Sequence, residues 1–245
     1  MAVVVPKPVV LLLGAGSNIG DAVVRYFSAN KFRVAAVSRS MEEGVDSGGV
    51  LNITADLGNP DAVPTIFTKV EAHWDVPTVV IYNAASRTLQ LPNDPMSTFS
   101  ITQYQHDHNV NVASALVACL FAVKGFARLP PSTLKTFFYT GNKLHVMSSP
   151  QALTFGMDKA AMAHCIWDCV VAYHEAGYKF YCTDERLSDG RPARELMSGE
   201  ARAKAMLALV EEPAQQPWCY TLVKGKGYVN FEDLDKGAAR NVDAE

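Results

Sequence analysis

The sequence predicts an α/β fold, a doubly wound parallel sheet of seven strands with helices on both faces, in a single domain. Three observations carry this. Short runs of branched and aromatic apolar residues alternate with longer helical stretches along the whole chain. Several runs are apolar at successive positions rather than at every second one, as strands buried on both faces must be. The first run also passes through a glycine-rich turn straight into an amphipathic segment, which is how a buried strand hands over to a helix.

The strands fall at Val9–Leu13, Arg33–Val37, Val50–Thr54, Thr78–Tyr82, Lys135–Tyr139, Lys179–Thr183 and Tyr220–Val223. The helices lie at roughly Ile19–Ala29, Asp61–His73, Ile101–Leu129, Lys159–Ala176 and Ala193–Glu211. A chain of 245 residues is long enough for one large domain with a real core. One connection stands apart. Met41–Gly49 holds three glycines in nine residues, so a crossover helix there is a turn at most. No internal repeat or break in composition divides the chain, and only residues 236–245 read as a loose polar tail.

The first strand, turn and helix read VVLLLGAGSNIGDAVVRYF. A backbone that turns this sharply needs conformations that side chains forbid, which accounts for Gly14 and Gly16. A helix that begins near Asn18 aims its free N–H groups and the positive end of its dipole at the loop, where a phosphate is the natural guest. An ordinary strand-to-helix turn has the same composition, so the loop alone does not decide for a dinucleotide. The end of the second strand adds a second sign. In a dinucleotide fold the residues about 20 positions beyond the glycine turn sit beside the adenosine ribose. Here they are Ser38, Arg39 and Ser40. Arginine offers a planar cationic fork suited to a 2′-phosphate, where an acid would select the free hydroxyl, so Arg39 points to NADP over NAD.

Composition closes off other classes. Apolar residues make up 49% of the chain and the formal net charge is −3, with no basic cluster to suit a nucleic acid. No run approaches the ~20 apolar residues of a bilayer span, and the N-terminus lacks the regions of a secretion signal. Five scattered cysteines without a CxxC pair read as reduced thiols, which suggests a cytoplasmic protein. Cys165 and Cys169 share a helix face, but their neighbours Ala161, Ile166 and Val170 favour core packing over a metal. His106 and His108, two apart on a helix, point in different directions and read as a solvated helix start. No metal is expected.

Further along lie the segments TADL with Asp56 and Leu57, Tyr82-Asn83-Ala84-Ala85, HNVNVA with Asn111, and Phe155-Gly-Met-Asp-Lys159. Together with Leu13, Gly14 and Gly20 in the first turn, they resemble the short-chain dehydrogenase/reductase family over essentially the whole chain. In that family's TGxxxGxG motif Asn18 stands where the middle glycine belongs, and Gly16 lies off register. The resemblance implies a Rossmann-type fold and an NADP(H) site at Gly14, Gly16, Asn18, Ile19, Gly20, Ser38, Arg39, Asp56, Leu57, Asn83, Ala84 and Lys159. It also implies a substrate lid over roughly residues 185–212. Pairing of the Ile101–Leu129 and Lys159–Ala176 helices is implied too, making a homodimer or homotetramer; the broad apolar surface of both helices agrees with this.

The catalytic positions are where the resemblance breaks. The family uses a Tyr-x-x-x-Lys pair with a serine about a dozen residues upstream. Lys159 and Asn111 are kept, but the tyrosine is Phe155 and the serine position holds Asn142. Phenylalanine exchanges no proton, and acid–base assistance is worth about 10²–10⁴-fold. Asn142 can donate an amide hydrogen bond to a carbonyl oxygen but cannot relay a proton. Lys159 then serves as a ribose ligand or as a direct acid. Tyr82, Tyr139, His145, Asp158, Asp184 and Glu185 all stand near carboxyl ends of strands, and His145 is the first choice because imidazole titrates near neutrality. The family's Asn and Pro-Gly after strand six are missing. The expected function is an NADP(H)-dependent oxidoreductase acting on a small carbonyl or alcohol with a relocated proton donor. The alternatives are a non-redox isomerase, lyase or cyclase built on the same fold, or a catalytically silent nucleotide-binding member.

Overall fold

The computed structural model describes residues 7–238. Seven parallel strands follow the predicted order: β1 (Val9–Leu13), β2 (Arg33–Ser38), β4 (Leu51–Thr54), β5 (Val79–Tyr82), β6 (Lys135–Thr140), β7 (Tyr178–Arg186) and β8 (Cys219–Val223). Two short antiparallel strands extend the sheet at its edges. β3 (Gly44–Val45) pairs with β4, and β9 (Gly227–Tyr228) pairs with β8, so the spatial order is β3-β4-β2-β1-β5-β6-β7-β8-β9. The glycine-rich link is thus an edge hairpin and not a helix. Gly44 and Gly49 both take positive φ there.

Each central strand feeds two cores. Val9, Leu11 and Leu13 of β1 join Phe67, Ala115, Ala118 and Met162 on one face, while Val10 and Leu12 join Val23, Phe27, Ala203 and Met206 on the other. Alternate side chains point to opposite faces, and both faces are dry, which is why the strand reads as continuously apolar. Helices α2 (Ala62–His73), α4 (Ser114–Phe126) and α5 (Leu153–Ala172) cover the first face, and α1 (Ile19–Ala29) and α6 (Gly199–Glu211) cover the second.

Several boundaries moved for physical reasons. The long fourth helix divides into α3 (Ile101–His108), a π-helical turn at Asn109–Ala113, and α4. Residues Ile101–Phe126 as a unit are long and apolar enough to cross a bilayer, yet half of the apolar window is buried inside the fold, as in a core helix. Helix α5 starts at Leu153, ahead of the expected Lys159, so Phe155 and Lys159 stand one turn apart on it. Strand β7 continues three residues past Thr183 because the charges of Asp184, Glu185 and Arg186 all find partners. Arg186 Nε donates to Asp184 at 2.7 Å, and its Nη1 donates to both oxygens of Asp235.

The expected lid helix is two things. Its N-terminal part is a loop with a short 3₁₀ turn at Arg194–Leu196. The rest is α6, a fixed core helix: Ser198 caps its first turn, and the buried Lys179 ammonium donates to the carbonyls of Leu209, Val210 and Glu212 at its C-terminus. Finally, Lys236–Ala238 are not a loose tail but the end of α7 (Glu232–Ala238); residues 239–245 lie outside the described residues.

Candidate active site

The chain leaves β1 towards β2 on one side and returns to β5 on the other, so the crevice of the sheet opens at their carboxyl ends. Two glycines shape the loop there. Gly14 has φ +98°, and a Cβ on it would lie 2.3 Å from Ala84 N; at Gly16 a Cβ would meet nothing within 4 Å. Gly14 lets two backbones touch, and Gly16 leaves open space where a ligand can approach. Asn83 ties the parts together, its Nδ2 donating to Gly14 O at 2.8 Å and its Oδ1 accepting from Thr140 Oγ1 at 3.0 Å.

A cavity of about 390 Å³ is lined by Gly14, Gly16, Ser38, Arg39, Asp56, Leu57, Asn83 and Ala84, eight of the predicted cofactor residues. The Arg39 guanidinium is exposed and forms no ion pair among the described residues. His106, read as solvated, lines this cavity as well. A second cavity of about 780 Å³ shares Asn83 and Ala85 with the first and holds Asn18, Ile19 and Lys159. Gly20 lines neither. A Cβ on it would lie 2.8 Å from the Ala15 backbone, so it is a packing glycine that seats α1 against the loop. Asn18 does not cap its own helix: its Oδ1 accepts from Gly199 N at 2.9 Å and its Nδ2 donates to Met197 O at 3.1 Å.

Lys159 sits at the inner wall of the larger cavity. Its Nζ donates to Thr140 O at 2.7 Å and to Tyr139 OH at 3.2 Å, 4.5 Å from the Tyr139 ring centroid and 5.1 Å from that of Phe155. An ammonium has three donors, so one remains for the cavity. Burial, reinforced by the Arg202 charge, lowers its pKa to about 8 in spite of nearby acids.

Asn111 works behind this lysine and does not line the cavity. Its Nδ2 donates to Ser86 O at 2.7 Å and to Asp158 Oδ2 at 2.9 Å, and its Oδ1 accepts from Ser86 N. The π-turn around it presents backbone carbonyls sideways: Val110 O accepts from Tyr82 OH, and Asn111 O accepts from Tyr139 OH at 3.1 Å. Asn111 therefore positions Tyr139, and through it Lys159. Asp158 is buried between Asn111 and His108 Nδ1, at 2.8 Å from the latter. His108 thus braces Asp158 while its ring stays 39% exposed to solvent.

The other proton-carrying candidates sort by geometry. Burial raises the pKa of Tyr82 and of Tyr139, and both hydroxyls are already committed to carbonyls. His145, the first choice from sequence, does not line the cavity. Its Nδ1 meets Asn142 O at 2.7 Å and its Nε2 lies 3.4 Å from Cys219 Sγ, because the 3₁₀ turn Lys143–His145 rotates the ring towards β8. Asp184 and Glu185 lie inside β7; Glu185 reaches the cavity but accepts from Ser198 N and pairs with Arg202 Nε at 3.4 Å. Asn142 does line it. Its Oδ1 accepts from Leu144 N, which leaves its NH₂ as a donor towards the cavity. Phe155 forms part of the same wall.

Arg202 was missed. It donates through Nη1 to Thr183 O at 3.1 Å and lines the cavity while only 2% exposed. The signal was present as a cation on the stripe of α6 that also buries Ala203, Met206, Leu209 and Val210. Cys165 and Cys169 pack on the core near Cys119 of α4, whose Sγ is 3.9 Å from that of Cys169.

Comparison with known proteins agrees with this geometry. The short chain dehydrogenase family model matches residues 8–128, which carry the glycine loop, Asp56, Asn83 and Asn111. The chain is 37% identical to the short chain dehydrogenase/reductase dmxR12 of Cryptosporiopsis sp. (strain 8999), over 95% of this chain and 99% of that protein. Among solved structures, a 4-hydroxyisoleucine dehydrogenase complexed with NADH superposes with a TM-score of 0.72 at 14% identity, covering 89% of this chain and 96% of that one. ElxO with NADP bound does so with a TM-score of 0.73 at 15% identity and the same coverage. With its sheet order, its glycine loop beside Asn83 and its near full-length relative, the chain belongs to the short-chain dehydrogenase/reductase family.

Proposed function

We propose that the protein is an NADP(H)-dependent oxidoreductase of small carbonyl or alcohol substrates in which Lys159 takes the acid–base role that a tyrosine holds elsewhere in the family. The observation that carries this reading is the Lys159 ammonium, buried, poised near pH 8 and keeping one donor for a cavity continuous with the glycine loop. A nicotinamide nucleotide fits the two cavities: Gly16 leaves room at the loop, Asp56 edges the outer end, and the free Arg39 guanidinium suits a 2′-phosphate. When bound, it supplies or accepts the hydride. Lys159 gives a proton to the substrate oxygen during reduction and takes it back during oxidation. The Asn142 amide donates to that same oxygen as negative charge builds on it. Tyr139, held by the Asn111 carbonyl, keeps the ammonium in place.

The phenyl ring at position 155 favours a second reading, in which the same lysine serves a non-redox isomerisation, elimination or cyclisation. Consumption of NADPH with substrate separates the two. We further propose a homodimer or homotetramer, supported by exposed apolar side chains on the two predicted helices, Leu116 and Leu120 on α4 and Trp167 and Val171 on α5.

The test is a fluorescence titration with NADPH and NADH. The wild type is expected to bind NADPH at least roughly ten-fold more tightly than NADH, and Arg39→Asp to abolish that preference. Absence of binding by either nucleotide removes both the redox reading and the cofactor assignment.

A further inference from the structure

The larger cavity carries charge of the wrong sign for the chain around it. The protein has a net charge of −3, yet this cavity is lined by Arg87, Lys143, Lys159, Arg194 and Arg202 against only Glu185 and Glu195. Two of these cations are neutralised by partners: Lys143 lies 3.7 Å from Asp235 and donates to Gly190 O, and Arg202 pairs with Glu185. Arg87 and Arg194 are different. Both are exposed, and neither side chain forms a hydrogen bond or ion pair among the described residues. They come from separate loops, after β5 and after β7. Arg194 also has a φ of +47°, a conformation that a non-glycine residue adopts only when its surroundings impose it. The rest of the wall is mixed, with Leu144, Met147, Phe155 and Pro192 as its larger apolar groups beside Asn142 and Gln151.

Two guanidinium forks without protein partners among the described residues, at a cavity that also offers apolar wall, match a carboxylate, which accepts two parallel hydrogen bonds from one fork and a side-on bond from another. We infer that the substrate is a carboxylate-bearing carbonyl or hydroxy compound with an apolar, ring-sized body, its carboxylate held by Arg87 and Arg194 and its reacting oxygen turned to Lys159. This rests on the function proposed above, but the anion site can be measured without turnover. Nucleotide phosphates are the competing source of negative charge, so the experiment must tell the two apart.

The probes are 2-naphthoate and the neutral 2-naphthamide, titrated calorimetrically into the wild type, Arg87→Gln, Arg194→Gln and the double variant, with NADPH titrated into the same four proteins. The naphthoate is expected to bind the wild type roughly ten-fold or more tightly than the amide, with the preference reduced in each single variant and lost in the double one. Lysine at both positions is expected to restore part of it. NADPH affinity should stay within about three-fold throughout. Equal binding of the two probes, or none, overturns the inference, as does a preference that survives in the double variant. A parallel loss of NADPH affinity also overturns it, since the arginines then serve the nucleotide. Failure of NADPH to bind the wild type, with naphthoate selectivity intact, would strike the proposed function and leave the carboxylate site standing.

Discussion

At the residue scale the proposed chemistry turns on Phe155 and its consequences. Phe155, one turn before Lys159, carries a ring without a hydroxyl, and the phenol that meets Lys159 is that of Tyr139 on β6. Tyr139 cannot stand in as the acid, because burial raises its pKa and its proton goes to the Asn111 carbonyl. This leaves the lysine, whose own pKa is lowered to about 8 chiefly by burial. In the proposed mechanism reduction needs the ammonium form, so its rate should fall as pH rises through about 8, and alcohol oxidation should rise over the same range. Lys159→Met is expected to lower kcat by about 10²-fold or more and to flatten that profile. Phe155→Tyr places a phenol beside the ammonium and is expected to raise kcat and move the midpoint. Steady-state rates from pH 6 to 10 check both, and a midpoint near 8 that survives in Lys159→Met would leave the lysine without the assigned role. The same depressed pKa links to stability. Between about pH 8 and the ordinary lysine value the unfolded chain holds a proton that the folded chain has released, so this group makes the fold more stable as pH rises through that window.

At the element scale the informative join is between the glycine loop and α6. Asn18 spends its side chain on Met197 O and Gly199 N, and a Cβ on Gly199 would meet Asn18 O at 2.3 Å. The start of α6 is therefore clamped to the start of α1, and the clamp fixes the loop that carries Arg194. Asn18→Gly removes two hydrogen bonds and adds backbone freedom, at an expected cost of about 1–2 kcal/mol in urea unfolding. Amide exchange at Gly199 should quicken in that variant while the β1 amides keep their protection. Equal protection at Gly199 in both proteins would mean that the clamp adds nothing.

At the scale of the whole molecule an exposed apolar surface lies on α4 and α5. Leu120 is 49% exposed and Val171 is 71% exposed on helices whose other faces are buried in the core. A helix apolar on more than one side needs a second cover besides the sheet. Sedimentation velocity should find the wild type at a multiple of the 26.6 kDa chain and the Leu120→Glu/Val171→Glu variant at the single-chain mass. A monomeric wild type at micromolar concentration would remove the proposed pairing.

Local chemistry determined most of the fold. Continuous apolar strands, helices of period 3.6 and a turn that only glycine allows place β1, β2, β4, β5, β6 and β8 within a residue or two, because each signal acts over a few neighbouring positions. The lining of the smaller cavity was legible for the same reason: Gly14, Gly16, Arg39, Asp56 and Asn83 all lie in short segments fixed to strand ends. The lining of the larger cavity was not. Strand β7 runs on through Asp184, Glu185 and Arg186 only because Asp235 and Arg202 arrive from distant parts of the chain to neutralise them. His145 turns away towards Cys219, Asn111 acts through Tyr139, and Arg202 enters the cavity from inside a helix. Buried charge is tolerated only with a partner, and a partner 17 or 49 residues away is visible only in the folded chain.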